Sequence, residues 1–404
     1  MIKNRDIIIV GIQPWDIAIG SNCKNIALEF AKNNRVLYVN SPTDRVSKWK
    51  ERNTPTMIKR RRVRKGIDPA LIQIDSNLWN LYPTTITESI NWIGSSMIFN
   101  FLNRINAKRF SKDINMALKN LNFKDPILFN DNSMFLGLHL KQYLNPILYI
   151  YYIRDFLIKN PYWKKHGVEL EPRTIANAHL VVTNSNMYAQ YASKFNPNSY
   201  MVGQGCDTVI FNEQITKIDV PFDIKDIPSP IVGYVGFLSS RRLSIEILEH
   251  IAHQMPDWSI VLVGPEDPAF KASTLHSLNN VYFLGSREPS ELPGYIKGFD
   301  VAINPQLIND ATMGNYPRKI DEYLTLGKPI VATSTKAMDY FSDYVYLGNN
   351  KEDYVSLIKK AYTQNNIELK HKRTSFGSSH SWENNVKQIY NYITIVAKEK
   401  RIKI

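Results

Sequence analysis

The chain of 404 residues holds only two cysteines, Cys23 and Cys206, far apart in sequence. That excludes a disulfide framework and a thiolate metal site, and it suits a reducing compartment. No apolar run approaches the ~20 residues that span a bilayer. The most apolar stretch, "ILYIYYI" (147–153), reads as a buried strand. The opening "MIKNRDIIIVG" passes straight into a strand pattern, with no signal-peptide core or cleavage site, so a cytoplasmic location is expected. The loop after that strand, "VGIQPWDIAIGS", lacks the G-x-G-x-x-G that lets a backbone approach a dinucleotide, and "GYVGFLSS" (233–240) has the wrong glycine spacing. There is no P-loop, no H-E-x-x-H, no G-x-S-x-G and no Cys/His cluster. Nicotinamide, ATPase, zinc and serine-hydrolase chemistries therefore have no residues to carry them.

What is present is globular: 44% hydrophobic and 22% charged residues, in a length that suits two domains. The net charge of +13 is uneven. Within 1–110, 18 Lys/Arg face 8 Asp/Glu, and "KWKERNTPTMIKRRRVRKG" (48–66) has nine bases against Glu51. The stretch after it, 86–110, places Ile90, Ile93, Met97, Phe101 and Leu102 as an apolar stripe, followed by Arg104, Lys108 and Arg109. This is either a core helix or one lying in a membrane interface. A polybasic segment beside an amphipathic Trp/Phe helix points to an anionic membrane surface, with Lys59, Arg60, Arg61, Arg62, Arg64 and Lys65 as the contacts. No nucleic-acid-binding signature accompanies the charge, so nucleic acid is not an expected partner.

Strand and helix patterns alternate twice, from "DIIIVG" (6–11) and again from "PIVGYVGF" (230–237). The expected fold class is therefore α/β: two Rossmann-like, doubly wound parallel-sheet domains facing across a cleft. The boundaries read as 1–207, a linker at 208–230, 231–380, and a last helix over 381–404. In "NYPRKIDEYLTLGKPIVAT" (315–333), Pro317 suits a helix start, Gly327 a helix stop, and "PIVAT" a buried strand. Lys319 and Glu322 then project from one side of a short helix, as an ion pair or as part of a site.

This stretch, with "GYVGFLSSRRLSIEILEHIAHQMPDWSIVLVGP" and "NVYFLGSREPSELPGYIKGFDVAINP", resembles the nucleotide-binding domain of GT-B glycosyltransferases of the bacterial surface-polysaccharide branch. "QPWD" (13–16), "YIRDF" (152–156), "AHLVVTNS", "GQGCD" (203–207) and the terminal "SW" helix extend the resemblance over most of the chain. The resemblance implies a transferase taking a nucleotide-diphosphate sugar, with UDP favoured. The acceptor would be a polyprenyl-diphosphate-linked or other glycan. The enzyme would sit on the inner face of the cell membrane. It implies Glu322 on the ribose hydroxyls, and Lys319 with Arg242 or Arg241 on the diphosphate. Gly236 would sit under the diphosphate, with Gly285, Asn304 and Tyr316 around the base and sugar. Such transferases neutralise the leaving group with basic side chains and helix dipoles, and no D-x-D stands at a suitable strand end. No cofactor and no catalytic metal are expected.

Two departures bear on mechanism. The acid that many retaining members carry eight residues before Glu322 is Gly314 here, and Glu246 stands where many have a lysine. An inverting transfer needs a general base, and Asp155, after a strand in "ILYIYYIRDF", is the candidate. Asp155 also reads as a helix cap or a partner of Arg154. Trp15 and Asp16 suit the acceptor side, although core packing accounts for Trp15 as well. Three alternatives remain at this level: a retaining transferase, a nucleotide-sugar 2-epimerase, or a basic membrane- or RNA-binding module on an inactive scaffold of this fold.

Overall fold

The computed structural model describes residues 2–16, 21–309, 312, 314 and 316–404. The described residues divide into two compact units, 1–203 with 385–404, and 204–384. The first boundary therefore falls a few residues before the expected one. The stretch expected as a linker, 208–230, belongs to the second unit, where Ile218, Ile224 and Ile227 are buried.

The first unit contains strands β1 (Asp6–Gly11), β2 (Arg35–Asn40), β3 (Thr43–Asp44), β4 (Leu71–Asp75), β5 (Leu78–Leu81), β6 (Ile86–Thr87), β7 (Ile127–Asp131), β8 (Leu148–Ile153), β9 (Leu180–Thr183) and β10 (Ser199–Met201). Eight of them form one sheet in the order β10-β9-β8-β7-β1-β2-β5-β4, parallel except for β4 at the edge. Strands β1, β7 and β8 are buried along their whole length, which is why they read as continuous apolar runs. The last helix (Trp382–Glu399) joins this unit from Asn385 onward. There Tyr390 lies 5.4 Å from Phe30, ring to ring, and its hydroxyl accepts from Asn34 Nδ2 at 2.8 Å.

The second unit contains β11 (Ile231–Val235), β12 (Ser259–Val263), β13 (Val281–Gly285), β14 (Val301–Asn304), β15 (Ile330–Thr333) and β16 (Tyr346–Gly348). All pairings are parallel, in the order β13-β12-β11-β14-β15-β16. Counted within the unit this is 3-2-1-4-5-6, the dinucleotide-fold order, with its switch point between β11 and β14. The loops leaving those two strands are stitched together: Leu307 N donates to Arg242 O at 2.7 Å and Ser244 N to Pro305 O at 2.9 Å.

Two expectations about basic and apolar stretches need correction. The stripe read over 86–110 is not one helical face. Ile90 and Ile93 lie in the turn before the long helix (Ser96–Asn120) and are buried with Phe99, Leu138 and Leu170, whereas Met97 and Phe101 are exposed. The six bases of the basic helix (Pro55–Arg64) and its cap are largely engaged. Lys59 donates to the Tyr82 hydroxyl at 2.6 Å and Arg60 to Ser41 O at 2.6 Å; Arg62 grips Asp68 through two bonds of 2.8 Å, and Arg64 reaches the Thr43 hydroxyl at 3.4 Å. Burial pushes Arg60's proton affinity down. Four of the six bases thus have partners, while Arg61, Arg62 and Lys65 stay exposed.

Candidate functional site

In open parallel sheets a ligand has room at the carboxyl ends of the strands beside the switch point. In the second unit that position holds the loop after β11 and the short helix (Lys319–Thr325) that precedes β15. Gly236, the first residue after β11, has φ +140°, which side chains rarely adopt. A Cβ there would stand 2.9 Å from Lys319 Nζ. Gly327 closes the short helix with φ +69°, and Lys328 N donates back to Tyr323 O at 3.0 Å.

Lys319 does not pair with Glu322. Its ammonium donates to the Tyr234 hydroxyl and lies 3.9 Å from the centre of that ring. Burial pulls its pKa down to about 7; Glu322 pulls the other way, and Arg242 and Arg318 push it further down. The carboxylate of Glu322 accepts from Arg318 Nε at 3.0 Å and is itself nearly buried. The site therefore has a short-range excess of positive charge with a phenol, not an acid, as the lysine's direct partner. Arrangements of that kind favour an incoming anion.

The other expected donor residues are placed less uniformly. Arg242 is exposed and close enough to bear on Lys319; Arg241 beside it is exposed as well. Gly285 ends β13 with φ +70° and open space around it. Asn304 is buried, its amide 3.4 Å from the Gln306 side chain, so it lines no open surface. Tyr316 is also turned inward. Its hydroxyl donates to Asp321 Oδ1 at 3.0 Å, and the same oxygen is met by His380 Nδ1 at 2.7 Å. Both residues act as scaffold behind the short helix.

In the first unit, Asp155 follows β8 and is half exposed. Its carboxylate is 3.3 Å from Arg154, which is buried and also bound to the wholly buried Asp131 at 2.7 Å. Burial raises Asp131's pKa and the Arg154 charge opposes that. Asn132 fixes this corner: its Oδ1 accepts from the backbone N of Arg154 at 2.9 Å and of Asp155 at 3.1 Å. Trp15 offers no sugar-binding face. Its ring is buried edge-on against Tyr38 at 5.1 Å, and its backbone N donates to Asn40 at 2.7 Å. Asp16 is exposed, 3.4 Å from Lys59. Residues 17–20 of the same loop lie outside the described residues.

Sequence reading missed Tyr234, Arg318, Asp131 and Asn132. Arg318 could have been found by its four-residue spacing to Glu322. Asp131 closes the strand "ILFND" and Asn132 follows it, the strand-end position that singled out Asp155. Nothing local marks Tyr234 as the lysine's partner. Among the described residues no group of three His, Cys, Asp or Glu could hold a metal ion, and no helix is long and apolar enough to cross a membrane.

Residues 229–363, which span both sides of this switch point, match the family model "Glycosyl transferases group 1". That match lies within the second unit. A Bacillus subtilis (strain 168) protein named for teichuronic acid biosynthesis, the glycosyltransferase TuaH, is 30% identical over 175 residues. That alignment covers 41% of this chain and 43% of the relative. The fold is shared along nearly the whole chain by sucrose-phosphate synthase of Thermosynechococcus elongatus (TM-score 0.66, 14% identity, 98% of this chain, 100% of that one). It is also shared by Anabaena HepE in complex with UDP and glucose (0.62, 14%, 97% and 100%). The trehalose 6-phosphate synthase of Burkholderia multivorans is similar too (0.67, 9%, 98% and 98%). The two-domain fold of these glycosyltransferases, GT-B, is thus the fold of this chain.

Proposed function

We propose that the protein transfers a sugar from a nucleoside-diphosphate sugar, UDP being the favoured nucleotide, to a lipid-linked glycan during bacterial surface-polysaccharide synthesis. The observation that carries the donor class is the cationic corner of Gly236, Lys319 and Arg242 beside the nearly buried Glu322. A diphosphate would give Lys319 an anionic partner in place of the neutral phenol, and the Glu322 carboxylate would accept from the two ribose hydroxyls. Structural relatives crystallised with UDP and UDP-glucose support the nucleotide. The relative named for teichuronic acid supports the polysaccharide.

In the proposed inverting reaction the acceptor oxygen attacks the anomeric carbon as the bond from that carbon to the diphosphate oxygen breaks. The acceptor proton passes to the carboxylate of Asp155 and the nucleoside diphosphate leaves. Arg154, anchored on Asp131, would orient that carboxylate. The same ion pair favours a second reading, in which Asp155 is structural and transfer retains configuration. The anomeric configuration of the product, read by NMR, separates the two.

The donor reading is tested by thermal shift with UDP, GDP, ADP and CMP on wild type and Glu322→Ala. A nucleotide at 100 times its dissociation constant stabilises the native state by about 2.7 kcal/mol. We expect UDP to raise the melting temperature of wild type and the gain to shrink sharply in the variant. If no nucleotide stabilises the wild type, the donor site is not where this reading puts it.

A further inference from the structure

The long helix carries a feature that sugar transfer does not use. Seven of its residues, Met97, Phe101, Arg104, Lys108, Lys112, Asn115 and Lys119, recur at three- and four-residue spacing and all are exposed. At 100° per residue they fall within one narrow stripe, and at 1.5 Å per residue that stripe is about 33 Å long. It is apolar at its start and basic along the rest. At the apolar end Trp92 and Ile98 join it: Trp92, Met97, Ile98 and Phe101 are 76%, 83%, 53% and 65% exposed.

This apolar end is held, not loose. Ile90, Ile93 and Phe99 pin the turn and first helical residues into a small core with Leu138 and Leu170. The Trp92 indole donates to Ser89 O at 2.9 Å, and Lys165 caps the Trp92 carbonyl at 2.7 Å. The four large side chains are thus presented outward by buried neighbours, an arrangement that costs solvation unless something covers it.

The charge pattern says what covers it. The only acid in the helix, Asp113, faces inward and accepts from Thr85 N at 2.8 Å and the Thr84 hydroxyl at 3.2 Å. The acids that touch the helix from outside are already engaged: Glu88 by Arg109 at 3.0 Å and by Arg45, and Glu169 by Asn100 at 3.3 Å and Arg173 at 3.1 Å. A second copy of this chain docking through the same face would set lysine against lysine. An anionic bilayer meets both requirements, taking the apolar end between headgroups and the bases against lipid phosphates.

We propose that this stripe, and not the basic helix, docks the protein on an anionic lipid surface. The inference stands apart from the transfer reaction, because vesicle binding is read without any sugar donor. Each Lys or Arg near such a surface contributes about fivefold to partitioning. The full chain is sedimented with vesicles of phosphatidylcholine alone and of equal parts phosphatidylcholine and phosphatidylglycerol. Wild type should sediment with the anionic vesicles only. The triple variant Lys108→Gln/Lys112→Gln/Lys119→Gln should lose about a hundredfold in partitioning, and Met97→Ser/Phe101→Ser should lose binding that survives raised salt. Arg61→Gln/Lys65→Gln should bind almost as wild type. These are exposed positions, so folding is confirmed by an unchanged melting temperature. The UDP-induced shift should also be unchanged, so failure of the donor site is told apart from failure here. The proposal is overturned if wild type ignores anionic vesicles or if the triple variant binds as wild type. It is equally overturned if Met97→Ser/Phe101→Ser converts a dimer to a monomer in sedimentation velocity, which would make the face a protein interface.

Discussion

The carboxyl ends of the two sheets carry the same ingredients, long cations and carboxylates, and arrange them in opposite ways. After β8 the cation is saturated: Arg154 is buried between Asp131 and Asp155 and has little left to offer an anion. After β11 and β14 the cations outnumber their partners: Lys319 rests on a tyrosine, Arg242 is exposed, and the only carboxylate in the group is already held by Arg318. A saturated arginine holds a carboxylate still. An unsaturated lysine waits for an anion. The difference suits one end to the proposed base and the other to the proposed leaving group, although composition alone would not distinguish them.

The largest effect should come from the saturated end. Asp155→Asn keeps the shape and removes the proton acceptor, so turnover should fall by roughly 10²–10⁴-fold. The UDP-induced thermal shift should be untouched, because the donor residues lie in the other unit. Initial rates with donor and acceptor check this. Full turnover in the variant would leave Asp155 as a partner of Arg154 only, and would dissolve the contrast between the two ends.

A smaller effect is expected at the unsaturated end. Losing one charge-assisted bond to a diphosphate costs about 1.5–3 kcal/mol, so Lys319→Met should weaken UDP roughly 10- to 100-fold. The pH dependence sharpens this. Burial holds Lys319 at about 7 without ligand, so above pH 7 it is largely neutral. A bound diphosphate favours the charged form, so binding above pH 7 takes up a proton and weakens as pH rises. Calorimetry in two buffers of different ionisation enthalpy should find that proton in wild type and not in Lys319→Met. An identical proton count in both would mean that Lys319 does not face the diphosphate.

How much of this was legible in the sequence depends on the range of the interaction. The second sheet was readable because its strands are short β-branched runs in regular alternation with helices, and Gly327 and Pro317 mark the short helix from within. The Lys319 partner was not readable, since Tyr234 is 85 positions away and only the sheet brings it near. The same limit explains the basic helix. Charge density in 59–65 suggested free bases, but Ser41, Thr43 and Tyr82, which take three of them, come from other elements. The long helix shows the converse error. The apolar spacing over 90–102 crosses a turn, so Ile90 and Ile93 face inward while Met97 and Phe101 face outward.

The smallest effect concerns what holds the saturated end in place. Glu171 is buried in the first unit, where its two oxygens accept from the hydroxyls of Tyr151 at 3.2 Å and Tyr191 at 3.3 Å. Asn132 donates to that same Tyr151 hydroxyl at 3.5 Å while accepting from the backbone of Arg154 and Asp155. A chain of hydrogen bonds therefore runs from Glu171 to the backbone that bears the proposed base. Burial raises Glu171's pKa to about 7. Its unfolded value is about 4.3, so between those pH values the folded state binds more protons than the unfolded one. Stability from this group is then full below about pH 4.3 and falls as pH rises through 7. Glu171→Gln removes the titration. Its melting temperature should decline less than that of wild type between pH 5 and 8, by a few degrees, and should lie above wild type at pH 8. If the carboxylate also tunes Asp155 through Tyr151 and Asn132, the pH–rate profile should shift with it. A changed melting curve with an unchanged rate profile would confine Glu171 to the core and leave Arg154 alone as the residue that positions the base.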